Sequence, residues 1–176
     1  MMLSRNRVFT VALMALLAGC ASGPVDKPDN RVAAEMAQRE IPASQLLNVN
    51  IVEFDPNVPA LADQDKDLPV VPAVRKAEAG YLAYSLRSTL EGTGQWGAVR
   101  VVPDGIDSSE VIVRGTIMAS DGETLELRIS AADATGRVWL EKTYARQASE
   151  DSYADSVGGG DPYQSLFNQI ANDLLG

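Results

Sequence analysis

The chain contains no histidine and a single cysteine, Cys20, among its 176 residues. Without histidine, a Ser-His-Asp or Cys-His catalytic set cannot form, and the commonest zinc ligand is missing. A lone cysteine also excludes an intrachain disulfide, so that the fold must be stabilised by burial alone. These two absences remove the most familiar routes to hydrolytic and metal-dependent catalysis.

Basic residues are scarce as well. Fifteen lysines and arginines face 24 acidic residues, for a net charge of −9. Nucleic acid and anionic lipid head groups both require a basic footprint, so we expect neither as a partner. After the amino terminus there is no apolar run of about 18 residues, so we expect no segment to span a membrane. The length is that of one domain.

What is present begins with a leader. Residues 1–7 carry Arg5 and Arg7 without an acid, residues 8–17 are mostly apolar, and small residues then precede Cys20. A basic start, an apolar core and a small-residue cleavage site are typical of a secretory signal peptide. The apolar core is too short to cross a bilayer, which takes about 20 residues.

The box Leu17-Ala18-Gly19-Cys20 resembles the signals of bacterial lipoproteins. This resemblance implies cleavage before Cys20, lipid on its sulfur, and a fatty acyl chain such as palmitate on the new amino terminus. Residues 21–23 contain no acid, which in such lipoproteins implies the inner leaflet of the outer membrane, with the domain in the periplasm. The alternative is an ordinary signal peptide followed by a free thiol, a liability in an oxidising compartment.

Three segments are therefore expected along the chain. Residues 1–19 are predicted to be a signal peptide. Residues 20–46 hold three prolines and few large apolar side chains, and are predicted to be the lipid anchor and a flexible tether. Residues 47–176 are predicted to form a single α+β domain.

Hydrophobic periodicity predicts seven elements in that domain. Alternation predicts strands over 46–54, 98–102, 110–118, 124–132 and 138–145. An apolar stripe with helical spacing follows Pro72 and ends near Gly92 and Gly94, and a second follows Asp161 and Pro162. The first stripe contains Ala79, Tyr81, Leu82, Ala83, Leu86 and Leu90; the second contains Tyr163, Leu166, Phe167, Ile170, Ala171 and Leu174.

The order β-α-β-β-β-β-α predicts an α+β, two-layer sandwich: a mostly antiparallel sheet with two amphipathic helices on one face. The last four strands are expected to be consecutive antiparallel hairpins. This order, with the helix-to-strand passage from Gly92 to Trp96, resembles the amino-terminal domain of TolB. It also resembles the fold shared by curli-secretion and penicillin-binding-protein-activator lipoproteins.

One acidic segment suggests an ion site. Asp63, Asp65 and Asp67 resemble the first half of a calcium loop, but Leu68 stands where the turn needs glycine and Val74 where a bidentate glutamate is needed. The segment is therefore interpreted as a solvated loop, with weak divalent-ion binding as the alternative. We expect no metal centre and no cofactor.

Aromatic side chains supply the remaining candidates. Trp96 and Trp139 are interpreted as core residues or as platforms that stack on a glycan. Tyr144, Tyr153 and Tyr163 are expected in core or helix-end packing, or as an aromatic rim. The polar loop 148–160 is the candidate partner-binding segment, through Tyr153 and the flexible Gly158, Gly159 and Gly160.

No pattern of residues marks a catalytic site. Glu123, Glu126 and Glu141 are interpreted as surface charges, although a hydrolase using two carboxylates remains an alternative. The leading hypothesis is a non-enzymatic envelope lipoprotein that binds a protein partner or supports assembly of an envelope complex. The second is a module that binds peptidoglycan or another glycan.

Overall fold

Strand β1, Val49–Val52, lies inside the sheet and has all four residues buried. The computed structural model describes residues 31–58, 60, 70–106, 108–148, 152–153 and 160–176. Strand β1 pairs in parallel with β2, Val99–Val102, on one side and with β3, Val111–Ser120, on the other. Because it is covered on both faces and paired along both edges, it carries a continuous apolar run with one polar exception, Asn50.

Two antiparallel hairpins complete the sheet. Strand β3 pairs with β4, Thr124–Asp133, and β4 pairs with β5, Val138–Gln147, giving the order β2-β1-β3-β4-β5. Antiparallel pairing supplies most of the register pairs, so the mostly antiparallel α+β fold is confirmed. The expected hairpin between β2 and β3 is wrong, because residues 103–110 carry the chain past β1, which takes the place between them.

Helix α1 spans Pro72–Thr93 and helix α2 spans Gln164–Asp173. Pro72 occupies the first turn of α1, where its missing N–H leaves no bond unmade. Gly94 ends the helix in the left-handed conformation, with φ of 68°. Helix α2 begins two residues later than predicted because the Asp161 carboxylate accepts a hydrogen bond from the Tyr163 N–H at 2.7 Å and shapes a turn first.

Both helices pack on one face of the sheet and close a single core. Leu86 of α1 and Ile170 of α2 are fully buried there, as their positions in the two stripes predict. From the sheet, the core takes alternate residues, among them Val49, Ile51, Val111, Val113, Leu127 and Ile129. One stripe residue is misplaced: Tyr81 is 58% exposed and lies outside the core.

The chain before the sheet is attached to the helices over residues 32–37. The Val32 N–H donates to Ser165 Oγ at 3.4 Å, and the Ala37 N–H donates to the Thr93 carbonyl at 2.8 Å. Between them, side-chain amides of α2 hold the backbone, since Asn172 Nδ2 donates to the Ala33 carbonyl at 2.9 Å. This part of the predicted flexible tether, residues 20–46, is therefore fastened to the domain, and residues 20–30 lie outside the described residues.

None of the helices in the described part of the chain combines the length and the apolarity needed to cross a membrane.

A close approach in the core generates a stability prediction. A Cβ added to Gly115 would lie 2.6 Å from the ring of Phe54, which is itself 2% exposed. We expect Gly115→Ala to destabilise the protein by about 1–3 kcal/mol, since a buried ring must shift to make room. Urea unfolding measures the change, and Gly92→Ala, where nothing lies within 4 Å, serves as the matched control. Equal midpoints for the two variants would contradict the packing described.

Candidate functional site

Two tyrosines meet at the turn between β3 and β4, and a third is linked to them through Asp161, whose other carboxylate oxygen accepts from the Tyr163 N–H. Tyr153 and Tyr163 both donate hydrogen bonds to the Gly122 carbonyl, the second at 2.9 Å. Tyr81 of α1 donates to Asp161 Oδ2 at 2.8 Å. We call this set, Tyr81, Tyr153, Tyr163, Gly122 and Asp161, the tyrosine patch. It joins residues that lie up to 82 positions apart in the chain.

The turn that receives these bonds is held by hydrogen bonds of its own. Asp121 Oδ1 accepts hydrogen bonds from the backbone N–H groups of Glu123 at 2.9 Å and Thr124 at 2.7 Å. Gly122 has φ of 93°, a conformation that favours glycine. Hydrogen bonds from the Thr124 and Glu123 N–H groups lower the pKa of Asp121, so that its carboxylate stays ionised at neutral pH.

Helix α1 is fixed to the same turn by its first charged residues. Arg75 Nη2 donates to the Ser120 carbonyl at 3.0 Å, and its Nε lies 3.2 Å from Glu78 Oε2. The Ser120 hydroxyl in turn donates to Glu78. Arg75 is 8% exposed, and this network holds the start of α1, and with it Tyr81, against the end of the hairpin.

The tyrosines act as neutral hydrogen-bonding groups. The hydrogen bond from Tyr81 to Asp161 is the main cause that raises the pKa of Tyr81, and partial burial raises it further. Burial and then a hydrogen bond with Tyr153 raise the pKa of Tyr163 well above its usual range. The hydroxyls of Tyr81 and Tyr163 therefore remain protonated at neutral pH.

The predicted binding residues are divided by the structure. Tyr153 is 43% exposed and belongs to the patch, where its hydroxyl also ties its segment to the β3–β4 turn. Gly160 is exposed. Gly158 and Gly159 lie outside the described residues, as do Cys20 and the acidic set Asp63, Asp65 and Asp67.

Tyr144 is not part of an aromatic rim. It is 3% exposed, and its hydroxyl donates to Asp173 Oδ2 at 2.8 Å. Lys142 Nζ reaches the same oxygen at 2.7 Å, so that Asp173 fastens the end of α2 to β5. Partial burial of Asp173 acts to raise its pKa, but the hydrogen bonds from Lys142 and Tyr144 act in the other direction, and the pKa of Asp173 is lowered overall.

The two tryptophans have different environments. Trp96 is 9% exposed within the core, so it cannot stack on a glycan, and its Nε1 has no partner among the described residues. Trp139 is 39% exposed near the β4–β5 turn, and its Nε1 donates to Asp133 Oδ2 at 3.0 Å. Only Trp139 keeps a ring face available for stacking.

The carboxylates of Glu126 on β4 and Glu141 on β5 are poorly placed for glycoside cleavage. Glu126 pairs with Ala145 and Glu141 pairs with Ser130, so the two acids are offset by four residues along the sheet. That offset is about 13 Å at 3.3 Å per residue. The two catalytic carboxyl groups of a glycosidase lie no more than ~6.5–9.5 Å apart. Within the described ranges, no group of three acidic or cysteine side chains could hold a metal ion.

A cavity of about 330 Å³ opens at the other end of the sheet, lined by Asn48, Arg100, Ser108, Ser109, Glu110 and Ala134. Its central residue is used structurally. Asn48 Oδ1 accepts from the Ala98 N–H at 2.8 Å, and the Asn48 N–H donates to Glu110 Oε2 at 3.1 Å. These bonds join the start of β1 to both neighbouring strands, so Asn48 and Glu110 serve the pairing of the sheet.

Sequence reasoning missed Tyr81 and Asp161 as members of a surface site. The aromatic ring of Tyr81 suggests the apolar stripe, but Tyr81 precedes Leu82 by one residue, which on a helix is a rotation of about 100° away from the centre of that stripe. Asp161 was interpreted as a helix cap. A helical projection would have placed Tyr81 outside the core, but its meeting with Asp161 depends on the packing of α1 beside α2.

No protein-family model and no curated protein sequence matches the chain. Solved structures that it is similar to include two crystal forms of the PelC dodecamer from Paraburkholderia phytofirmans. One, a point variant, is 17% identical with a TM-score of 0.47, covering 81% of this chain and 92% of that one. The other is 15% identical with a TM-score of 0.42, covering 81% and 91%.

A third similar structure is a Xanthomonas campestris protein of the DUF330 family. It is 16% identical with a TM-score of 0.48, covering 83% of this chain and 89% of that one. These values are too low to support a functional argument. The three are not the TolB, curli-secretion or penicillin-binding-protein-activator proteins that the element order resembles, and that resemblance stays a prediction.

The β4–β5 turn generates a pH prediction. Hydrogen bonds from the Thr135 hydroxyl and Trp139 Nε1 lower the pKa of Asp133 to about 2. A depressed carboxyl pKa stabilises the folded state above the unfolded value of about 4, and that stabilisation is lost as pH falls toward 2. We expect Asp133→Asn to reduce the fall in melting temperature between pH 5 and 2. Parallel curves for variant and wild type would contradict this.

Proposed function

We propose that the chain is a non-enzymatic lipoprotein of the bacterial cell envelope, anchored through Cys20 in the inner leaflet of the outer membrane. In this proposal the domain faces the periplasm and binds a protein partner through the tyrosine patch. The observation that carries the partner-binding proposal is the patch itself: three tyrosines from separate segments, with their hydroxyls held in place at one end of the domain.

The side chains of the patch suit protein recognition. Tyrosine is enriched among residues that dominate binding energy, since its ring offers a large rigid surface and its hydroxyl a polar contact. Tyr81 and Tyr153 keep 58% and 43% of their surface exposed. Their hydrogen bonds fix them before binding, which lowers the ordering cost of association. Asp121 and Asp161 favour a partner surface that offers basic groups or N–H donors.

The entry of the chain into the domain is compatible with a membrane anchor near the patch. Val32 contacts Ser165 in the first turn of α2, and Tyr163 immediately precedes that helix. The eleven residue-to-residue steps from Cys20 to Arg31 could span up to about 36 Å if extended. The contact of Val32 with Ser165 brings this part of the chain to the same end of α2 as Tyr163 of the patch.

The anchor is tested by Cys20→Ser in the producing cell. We expect the variant to accumulate as unprocessed precursor or to fractionate as soluble, because several acyl chains each contribute about 0.8 kcal/mol per buried CH₂ to membrane binding. Fractionation and mass measurement of the mature amino terminus check this. Equal membrane association and processing of variant and wild type would sink the lipoprotein proposal.

The partner surface is tested by photo-cross-linking in cells. A photoreactive phenylalanine analogue replaces Tyr81 in one strain and Trp139, at the opposite end of the sheet, in another. We expect a discrete protein adduct from position 81 only, and we expect Tyr81→Ala to reduce adduct formation by a probe at Tyr153. Melting curves confirm that each variant is folded.

Absence of an adduct at 81, or equal adducts at both positions, would contradict binding through the patch.

The glycan alternative rests on the exposed ring of Trp139. It gains support if the purified protein sediments with peptidoglycan sacculi and Trp139→Ala abolishes sedimentation while Tyr81→Ala does not.

A further inference from the structure

Strand β5 is a long strand at the edge of the sheet, and no described strand pairs with its outer side. The Ala148 N–H donates to the Glu123 carbonyl at 2.7 Å, and in an antiparallel ladder the hydrogen-bonded pairs then recur at every second residue. Leu140, Lys142 and Tyr144 therefore direct their backbone groups toward β4. Glu141, Thr143, Ala145 and Gln147 direct theirs outward.

These outward groups have no hydrogen-bond partner among the described residues. Natural edge strands are normally short, or protected by proline, charge or a bulge. The opposite edge follows that rule, because β2 has four residues and is followed by Pro103. Strand β5 has ten residues with no proline or glycine, and its one irregularity, opposite Ala131 and Ala132, leaves residues 140–147 regular. Its charged residues are Glu141, Lys142 and Arg146, so a partner strand must pair in a register that does not oppose like charges.

We propose that β5 pairs antiparallel with β5 of a second copy of this chain, joining two five-stranded sheets about a two-fold axis centred on Thr143. Residues that lie directly opposite each other in an antiparallel pair share a face, whereas neighbouring residues of one strand lie on opposite faces. A two-fold axis perpendicular to the sheet must therefore pass through one residue position and not between two. Centring on Thr143 keeps 140–146 of both copies paired, with about six hydrogen bonds from outward-facing groups.

Charge selects this centre over its neighbours. A two-fold axis at Glu141 would place the Glu141 side chains of the two copies opposite each other, and an axis at Lys142 would do the same for Lys142. An axis at Tyr144 would place Lys142 of one copy opposite Arg146 of the other. Like charges directly opposite are destabilising. Centred on Thr143, the register pairs Thr143 with Thr143, Glu141 with Ala145, Lys142 with Tyr144, and Leu140 with Arg146. It opposes no like charges, and Thr–Thr is a favourable cross-strand pair.

The register is tested by single-cysteine cross-linking of the purified full chain carrying Cys20→Ser. Thr143→Cys is expected to form a disulfide-linked dimer under mild oxidation, because paired Cα atoms lie about 5.5 Å apart, within the disulfide range. Glu141→Cys alone is not expected to cross-link, since its two copies would lie about 13 Å apart. A mixture of Glu141→Cys and Ala145→Cys is expected to form the heterodimer.

Non-covalent association is tested by sedimentation equilibrium in the same background. Thr143→Lys and Thr143→Glu are each expected to weaken the dimer about two- to fivefold, and their mixture is expected to restore it. Ala145→Lys, placed opposite Glu141, is the control and should not weaken it. The proposal is overturned if Thr143→Cys stays monomeric while folded, if positions 141 and 143 cross-link equally, or if the wild-type chain is monomeric at about 100 μM.

Discussion

The structure depends on the parallel pairing of β1 with both β2 and β3. A strand buried on both faces must satisfy its backbone groups along both edges, since an unpaired buried N–H or C=O costs about as much as a lost hydrogen bond. The first strand therefore lies between two strands that come some 50 and 60 residues later. Helix α1 makes the crossover from β1 to β2, and Asn48 joins the start of β1 to both neighbours.

This arrangement separates the domain into two ends with different chemistry. At the end that holds the cavity, polar side chains such as Asn48 and Asp133 are committed to backbone groups that begin strands or close turns. At the end that holds the tyrosine patch, the hydroxyls of Tyr81 and Tyr163 are fixed while ring surface remains exposed. Fixed polar atoms beside exposed aromatic surface suit recognition of another molecule, and the proposed partner-binding role rests on this combination.

The attachment of residues 32–37 to α2 also bears on the proposed anchor. A flexible tether reaching residue 46 would let the domain turn freely with respect to the membrane. With the chain fastened from Val32 onward, at most the residues before Val32 connect the domain to the proposed anchor at Cys20. In a lipid-anchored chain, a shorter connection restricts the orientations of the domain, and it would keep the patch within reach of partners at the same membrane.

The sequence by itself determined the elements and the core. The spacing of Leu82, Leu86 and Leu90 places one face of α1 inside, and Pro72 and Gly94 mark its ends, because these signals act within one or two turns of chain. Only the tertiary structure decided that β1 inserts between β2 and β3, that Tyr81 meets Asp161, and that Asn172 holds Ala33. Each depends on contacts between distant segments, whose partners are selected by the packing of the whole sheet and helix layer, so no local pattern encodes them.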